Sequence, residues 1–310
     1  MSVHLDELER QRALDAYHLV DSFPEAAYDD IVRLATLLCG APIAIVSLID
    51  RDRQWFKASA GLPMSETSRD VAFCDHAIRR PDELMHVSDA TIDPRFQNNP
   101  LVTGDLGIRF YAGMPLVTPS GAAIGTVCVI DHQPRELDET QRQALAALSR
   151  LAMNLIEARH RQRELERAVQ FAAQAAISDT PADVAPDDHG QCTIAIFEVQ
   201  DLSGAASRVG ERAVRRALAQ LEQLLHAGLR PERHDSVNHV THSAEMIVLL
   251  HGADTEATLQ SLRQRVHAFE QEHGLRVLIG SASSEEVNER LESIYLRADL
   301  SLSEAKDRSA

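Results

Sequence analysis

The sequence predicts an α+β protein in which two antiparallel-sheet domains are joined by a long coiled-coil helix. Three observations predict it. First, the run from Leu137 to Ala176 holds no Gly or Pro. Within it Leu148, Leu151, Leu155, Ala158, Gln162, Leu165, Val169, Ala172 and Ala176 step by three and four residues, the spacing of a heptad seam. Second, short β-branched runs on either side of it alternate with helical patterns, an order that builds antiparallel sheets backed by helices. Third, SDTPADVAPDDHGQ (178–191) is acidic and rich in Pro, which reads as a linker and domain boundary. A length of 310 residues fits two domains.

The elements follow in order. Residues 4–20 read as a helix, and Pro24 opens a second that carries Ala27, Ile31, Leu34, Ala35 and Leu38 on one face. Gly40 is placed as its C-cap. APIAIVSLID (41–50) and QWFKASAG (54–61) read as a strand pair across a charged turn. FCDHAIRR (73–80) starts a short helix, LMHVSDA (84–90) is a strand, and residues 93–107 form a loop. IRFYAGMPLV (108–117) and AIGTVCVID (123–131) are two further strands. A helix of the 40 residues 137–176 would be about 60 Å long. Such a helix cannot hide its stripe against one small domain, so the seam is expected to pair with a second copy, a homodimer through residues 145–176. Beyond the linker come a strand (192–199), a helix (205–227), two strands (236–240 and 245–252), a helix (255–274), a strand (275–283) and a last helix (286–307). The order βαββαβα is the ferredoxin-like split motif with an added helix.

Composition narrows the functional classes. A formal charge of −16 opposes nucleic acid and anionic membranes, so neither is expected as a partner. No apolar run nears the ~20 residues of a membrane span, and the charged N-terminus has no signal core, which gives a cytoplasmic expectation. Cys39, Cys74, Cys128 and Cys192 show no metal or disulfide spacing.

PIAIVSLIDRDRQWFKASAG, FCDHAI, DPRFQNNPLVTG, IRFYAGMPLV and GTVCVID fall in the order of the GAF sensor family, which residues 5–160 resemble. The resemblance implies a six-stranded sheet, helices behind it, a ligand pocket in front, and sensing or dimerisation. It names no ligand; an unknown small molecule is expected and no cofactor is assigned. Trp55, Cys74, His76, Arg109 and Tyr111 are the pocket candidates: a thiol at a helix start, an apolar wall, and a cation and a phenol alternating along one strand. The plainer alternatives are a buried apolar Cys and an Arg paired with a nearby acid. A redox centre at Cys74 would need a second thiol, and the other cysteines are distant in sequence.

LESIYLRADLSLSEAKDRS and VLIGSAS resemble the end of the GGDEF domain of diguanylate cyclases. The departures argue against that activity. The signature falls on His242, Ser243, Ala244, Glu245 and Met246, where two glycines would let a triphosphate approach the backbone and an acid would bind metal. Glu198, Glu245 and Lys306 are left as a vestigial nucleotide and metal site, and one first-strand carboxylate serves two hard cations poorly. Arg233 and Ser236 stand where the family's inhibitory R-x-x-D would be. No catalytic residue and no metal site are therefore assigned. The expected organisation is a sensor domain (1–137), a signalling helix (138–177), a linker (178–191) and a degenerate GGDEF domain (192–310). The expected function is signalling through a ligand or a protein partner, with an active diguanylate cyclase as the alternative.

Overall fold

The computed structural model describes residues 7–178, 191–240, 243–252, 254–286 and 289–309. The linker expected at 178–191 lies almost wholly outside the described residues, as does His242. The chain divides into two compact units. One is Pro24–His160 with the N-terminal residues up to Val20; the other is Arg161–Ala310 with Asp21–Phe23.

The first unit opens with α1 (Glu7–Tyr17) and α2 (Ala26–Cys39). Gly40 ends α2 at φ 60°, the left-handed cap expected of a glycine there. The strands are β1 (Ile43–Ile49), β2 (Arg53–Ala60), β3 (Glu66–Ser68), β4 (Met85–Val87), β5 (Phe110–Val117) and β6 (Ala123–Asp131). They form one antiparallel sheet in the order β3-β2-β1-β6-β5-β4. Helix α3 (Phe73–Ala77) and the one-turn α4 (Pro100–Thr103) lie between strands. The sequence places 93–107 in a loop; α4 within it and β3 between β2 and α3 are too short to show a periodicity of their own.

All seven residues of β1 are buried, because both faces of the sheet are covered. Ala44, Val46 and Leu48 face one core with α1, α2 and the start of the long helix α5 (Glu139–Ser178). Ile43, Ile45 and Ile49 face a second core with α3 and the loop residues Phe96, Val102 and Ile108. Period-two alternation thus serves two apolar layers, and no polar row betrays either face in the sequence.

Helix α5 presents two faces. Leu145, Leu148, Ala152, Met153 and Ile156 pack in the first core, at the spacing of a helix docked on its own domain. Leu148 therefore belongs to that core and not to an outer seam. Leu151, Leu155, Leu165 and Val169 point outward at 52%, 36%, 68% and 68% exposure. Ala158, Gln162 and Ala172 are exposed too. The outer face is not uniformly solvated: Arg163 is buried, and Phe171 packs on Tyr295 with ring centroids 5.9 Å apart.

The second unit holds β7 (Cys192–Val199), α6 (Leu202–Val209), α7 (Glu211–His226), β8 (Ser236–His239), β9 (Glu245–His251), α8 (Thr255–His273), β10 (Val277–Ser283) and α9 (Leu291–Ser309). The sheet order β10-β7-β9-β8 is antiparallel throughout, the split βαββαβ arrangement with α9 added. The single helix expected over 205–227 is two. Gly210 sits at φ 88°, ψ 142° between α6 and α7, backbone that only glycine adopts at low cost. The apolar periodicity ran through the break and concealed it. The last helix starts at Leu291, five residues after the expected 286.

Candidate functional site

Two regions gather chemistry, one in each unit. In the first, Cys74 stands on α3 and points into the second core, 1% exposed. Three donors and a second thiol converge on its sulfur. Gln54 Nε2 lies 3.1 Å away, Thr126 Oγ1 3.1 Å, Tyr111 Oη 3.3 Å and Cys128 Sγ 3.8 Å. Ser47 and Thr126, directly opposite one another on β1 and β6, share a hydroxyl–hydroxyl bond of 3.2 Å. Each donor sits on an odd or even strand position that turns to this face: Gln54 with Phe56 on β2, Thr126 with Cys128 on β6, Tyr111 on β5.

A neutral thiol is a weak acceptor, while a thiolate satisfies several donors. Burial would push the Cys74 thiol up; hydrogen bonds from Cys128, Ser47, Thr126 and Tyr111 outweigh it and hold the thiol near 6. Cys128 moves the opposite way, raised well above the ordinary thiol by its bond to Cys74 and by burial. Tyr111 is raised by burial and by the two neighbouring sulfurs.

Of the residues read as pocket candidates, Cys74 and Tyr111 meet here. His76 is half-buried, edge-on to Phe96 at 4.8 Å between centroids, and burial lowers its pKa. Trp55 faces the opposite core, against the helices; Phe56 is its neighbour that faces Cys74's layer. A strand pattern fixes alternation but not which parity faces which layer. Arg109 precedes β5 and donates to the carbonyls of Val102 (2.9 Å) and Ile108 (3.1 Å), so it anchors the loop around α4. The front of the sheet is filled by side chains, with Phe73 and Phe96 stacked at 3.9 Å. Cys128, Gln54, Thr126 and Ser47 were not singled out from the sequence. Their only signal is polarity inside otherwise apolar strands.

In the second unit, Glu198 and Glu245 are opposite one another on β7 and β9. Both are buried, at 7% and 1% exposure. Lys306 on α9 binds Glu198 at 2.8 and 2.9 Å. Arg163 on α5 binds Glu245. Ser243 is buried and donates its hydroxyl toward Glu245 at 3.4 Å. Ala244 is half-buried and Met246 lies in the core beside β7. Asp235, one place ahead of Ser236, accepts from Arg230 at 2.8 and 3.2 Å and from the His251 amide at 2.9 Å. Arg230 forms an ion pair with Asp235; Arg233 lies on a short turn, Pro231–Arg233.

Residues 24–156 match the family model of the GAF domain. The cyclic di-GMP phosphodiesterase PA2567 of Pseudomonas aeruginosa is 42% identical over 149 residues, covering 48% of this chain and 25% of that protein. The chain thus matches about a quarter of that relative's length. Among solved structures, a microbial GGDEF domain studied with cyclic di-GMP is 23% identical at a TM-score of 0.38, covering 47% of this chain and 87% of that one. The GAF domain of an Acinetobacter phosphoenolpyruvate-protein phosphotransferase is 18% identical at 0.38, covering 50% and 96%.

Proposed function

We propose, from the GAF domain over residues 24–156, that the chain is a homodimeric signalling module. In this reading the GAF domain biases a degenerate GGDEF-like unit that binds a ligand or a protein and catalyses nothing. The setting is cyclic di-GMP signalling, the context of the phosphodiesterase named above. The carrying observation is the fate of the two carboxylates. Glu198 and Glu245 are adjacent across two strands, as a pair of metal ligands would be, but each is already engaged by a basic side chain, Lys306 and Arg163. A cation entering there must displace two ammonium or guanidinium partners from buried sites, at a cost of several kcal/mol. Ala244 adds no oxygen donor where the family's signature has an acid.

The alternative, an active diguanylate cyclase, is favoured by that same adjacency of carboxylates. Phosphoryl transfer runs on metal and phosphate positioning, so turnover separates the two readings. The full chain incubated with GTP and magnesium or manganese is expected to yield no cyclic di-GMP above a Glu198→Ala, Glu245→Ala control. Product above that control would establish a cyclase.

A further inference from the structure

The reading above leaves open what the first unit responds to, and the buried sulfur pair speaks to that independently of the second unit. We propose that Cys74 and Cys128 form a peroxide-reactive dithiol, in which Cys74 is the attacking sulfur, Cys128 resolves it, and the product is an intramolecular disulfide.

The geometry carries this. The two sulfurs lie 3.8 Å apart, in van der Waals contact, and need to close to about 2.05 Å for a bond. The residues are 54 apart in sequence and come from different elements, α3 and β6, so the contact is built by the fold. Gln54, Thr126 and Tyr111 place three further donors within 3.3 Å of the Cys74 sulfur, a cradle suited to negative charge on that sulfur. The Tyr111 ring reaches it by crossing Gly113, where an added Cβ would lie 2.1 Å from the phenol oxygen. The site therefore asks for a glycine two residues along the same strand. That cradle assigns the roles: the sulfur that receives these donors, and whose thiol they lower, is the one that attacks, and Cys128, raised by its bond to Cys74 and by burial, resolves.

Burial selects the oxidant. Cys74 and Cys128 are 1% and 0% exposed, out of reach of a peptide disulfide but not of a neutral molecule little larger than water. A hydroperoxide fits. The Cys74 thiolate attacks one peroxide oxygen; the O–O bond breaks, and the departing hydroxide takes up the proton that Cys74 released on ionising and leaves as water, giving a sulfenic acid. The Cys128 sulfur then attacks the Cys74 sulfur. The S–O bond breaks, and the hydroxide leaves as a second water with the Cys128 proton. The dithiol loses two electrons and two protons, and one hydrogen peroxide becomes two waters. The other cysteines serve as internal controls. Cys39 and Cys192 are also buried, and burial raises both, Cys192 to about 11.

The test treats the full chain with hydrogen peroxide or, separately, with oxidised glutathione. Remaining thiols are then alkylated under denaturing conditions and the peptides mapped by mass spectrometry. Peroxide is expected to join Cys74 to Cys128 while Cys39 and Cys192 stay alkylatable, and oxidised glutathione is expected to leave all four reduced. Cys128→Ser should stop the reaction at a Cys74 sulfenic acid that dimedone traps. Tyr111→Phe, which keeps the ring, should slow disulfide formation roughly tenfold or more through loss of a bond to a charged acceptor. Equal oxidation of all four cysteines in the folded protein would overturn the proposal. So would a pair still reduced at peroxide levels that oxidise free cysteine, or a Tyr111→Phe rate unchanged from the parent.

Discussion

Lys57 shows how one residue can carry a pH dependence that the rest of the chain hides. Its ammonium is fully enclosed and pairs with Glu25 at 2.6 Å, above the Tyr28 ring at 5.1 Å. Burial lowers its pKa to about 8 from 10.5, with Glu25 opposing. The sign follows from proton counts. Between about 8 and 10.5 the unfolded chain binds the proton that the folded chain has released, so stability rises with pH across that window. Lys57→Met fills the same volume without the charge, and Glu25 keeps Arg159 as a partner. The stability of Lys57→Met relative to the parent is therefore expected to fall from pH 7.5 to pH 10, by on the order of 2–3 kcal/mol. Thermal unfolding of both proteins at the two pH values checks it; a constant difference would show that Lys57 does not titrate in that range. Nothing in QWFKASAG marked this lysine, which reads as the exposed member of an alternating strand. Burial on both faces of a sheet is a tertiary fact. Cys74 was legible as a candidate for a similar reason in reverse: a Cys-Asp-His run at a helix start stands out locally, while Cys128, buried in a plain apolar strand, became informative only when β6 was placed beside β1.

Element boundaries were read well where a cap or a strand's composition was local. Gly40 and Gly274 close α2 and α8 in left-handed backbone, and β6 and β7 begin and end where their apolar runs do. In the second unit Glu198 and Glu245 were legible as residues of interest, but not that basic side chains engage them. Arg163 sits between the exposed Gln162 and Glu164, and nothing in their charged run sets it apart. It is the i+7 residue after Ile156 on the inward side, and it spends its charge on Glu245 of β9. Removing one member of a buried pair leaves the other charge uncompensated, at about 3–5 kcal/mol. Arg163→Met is expected to lower the stability of the second unit by about that amount in urea unfolding. Arg163→Met with Glu245→Leu should recover most of the loss, since an apolar pair of similar volume commonly matches a buried ion pair. If the double variant is no more stable than the single one, the pair is not the device that holds α5 to β9.

At the scale of the molecule, the exposed stripe on α5 is the feature that composition alone would disfavour in a monomer. Leu151, Leu155, Leu165 and Val169 repeat at heptad spacing along one helix and stay open to solvent. Leu34, Leu37 and Leu38 on α2 add exposed leucines in the same unit, and Gln141 Nε2 of α5 donates to the carbonyl of Cys39 at the end of α2 at 3.2 Å. A stripe of this kind calls for a partner, and a parallel copy of the same helix presents the matching repeat. The core face of α5 is separate: Leu145, Ala152 and Ile156 hold the helix to its own sheet. That separation makes the test clean. Leu151→Glu with Leu155→Glu places charges only on the outward face, so the fold should persist with unchanged circular dichroism. Sedimentation of the parent is expected to give a dimer and of the double variant a monomer. A double variant that stays dimeric would move the interface off this helix, and a parent that sediments as a monomer would overturn the homodimer proposed above. The charge of −16 on each copy adds a second handle, because association of like-charged chains should tighten as salt screens them. The parent's dimerisation is therefore expected to strengthen from 20 to 300 mM salt by a measurable shift in midpoint concentration, the direction opposite to that of an interface held by ion pairs.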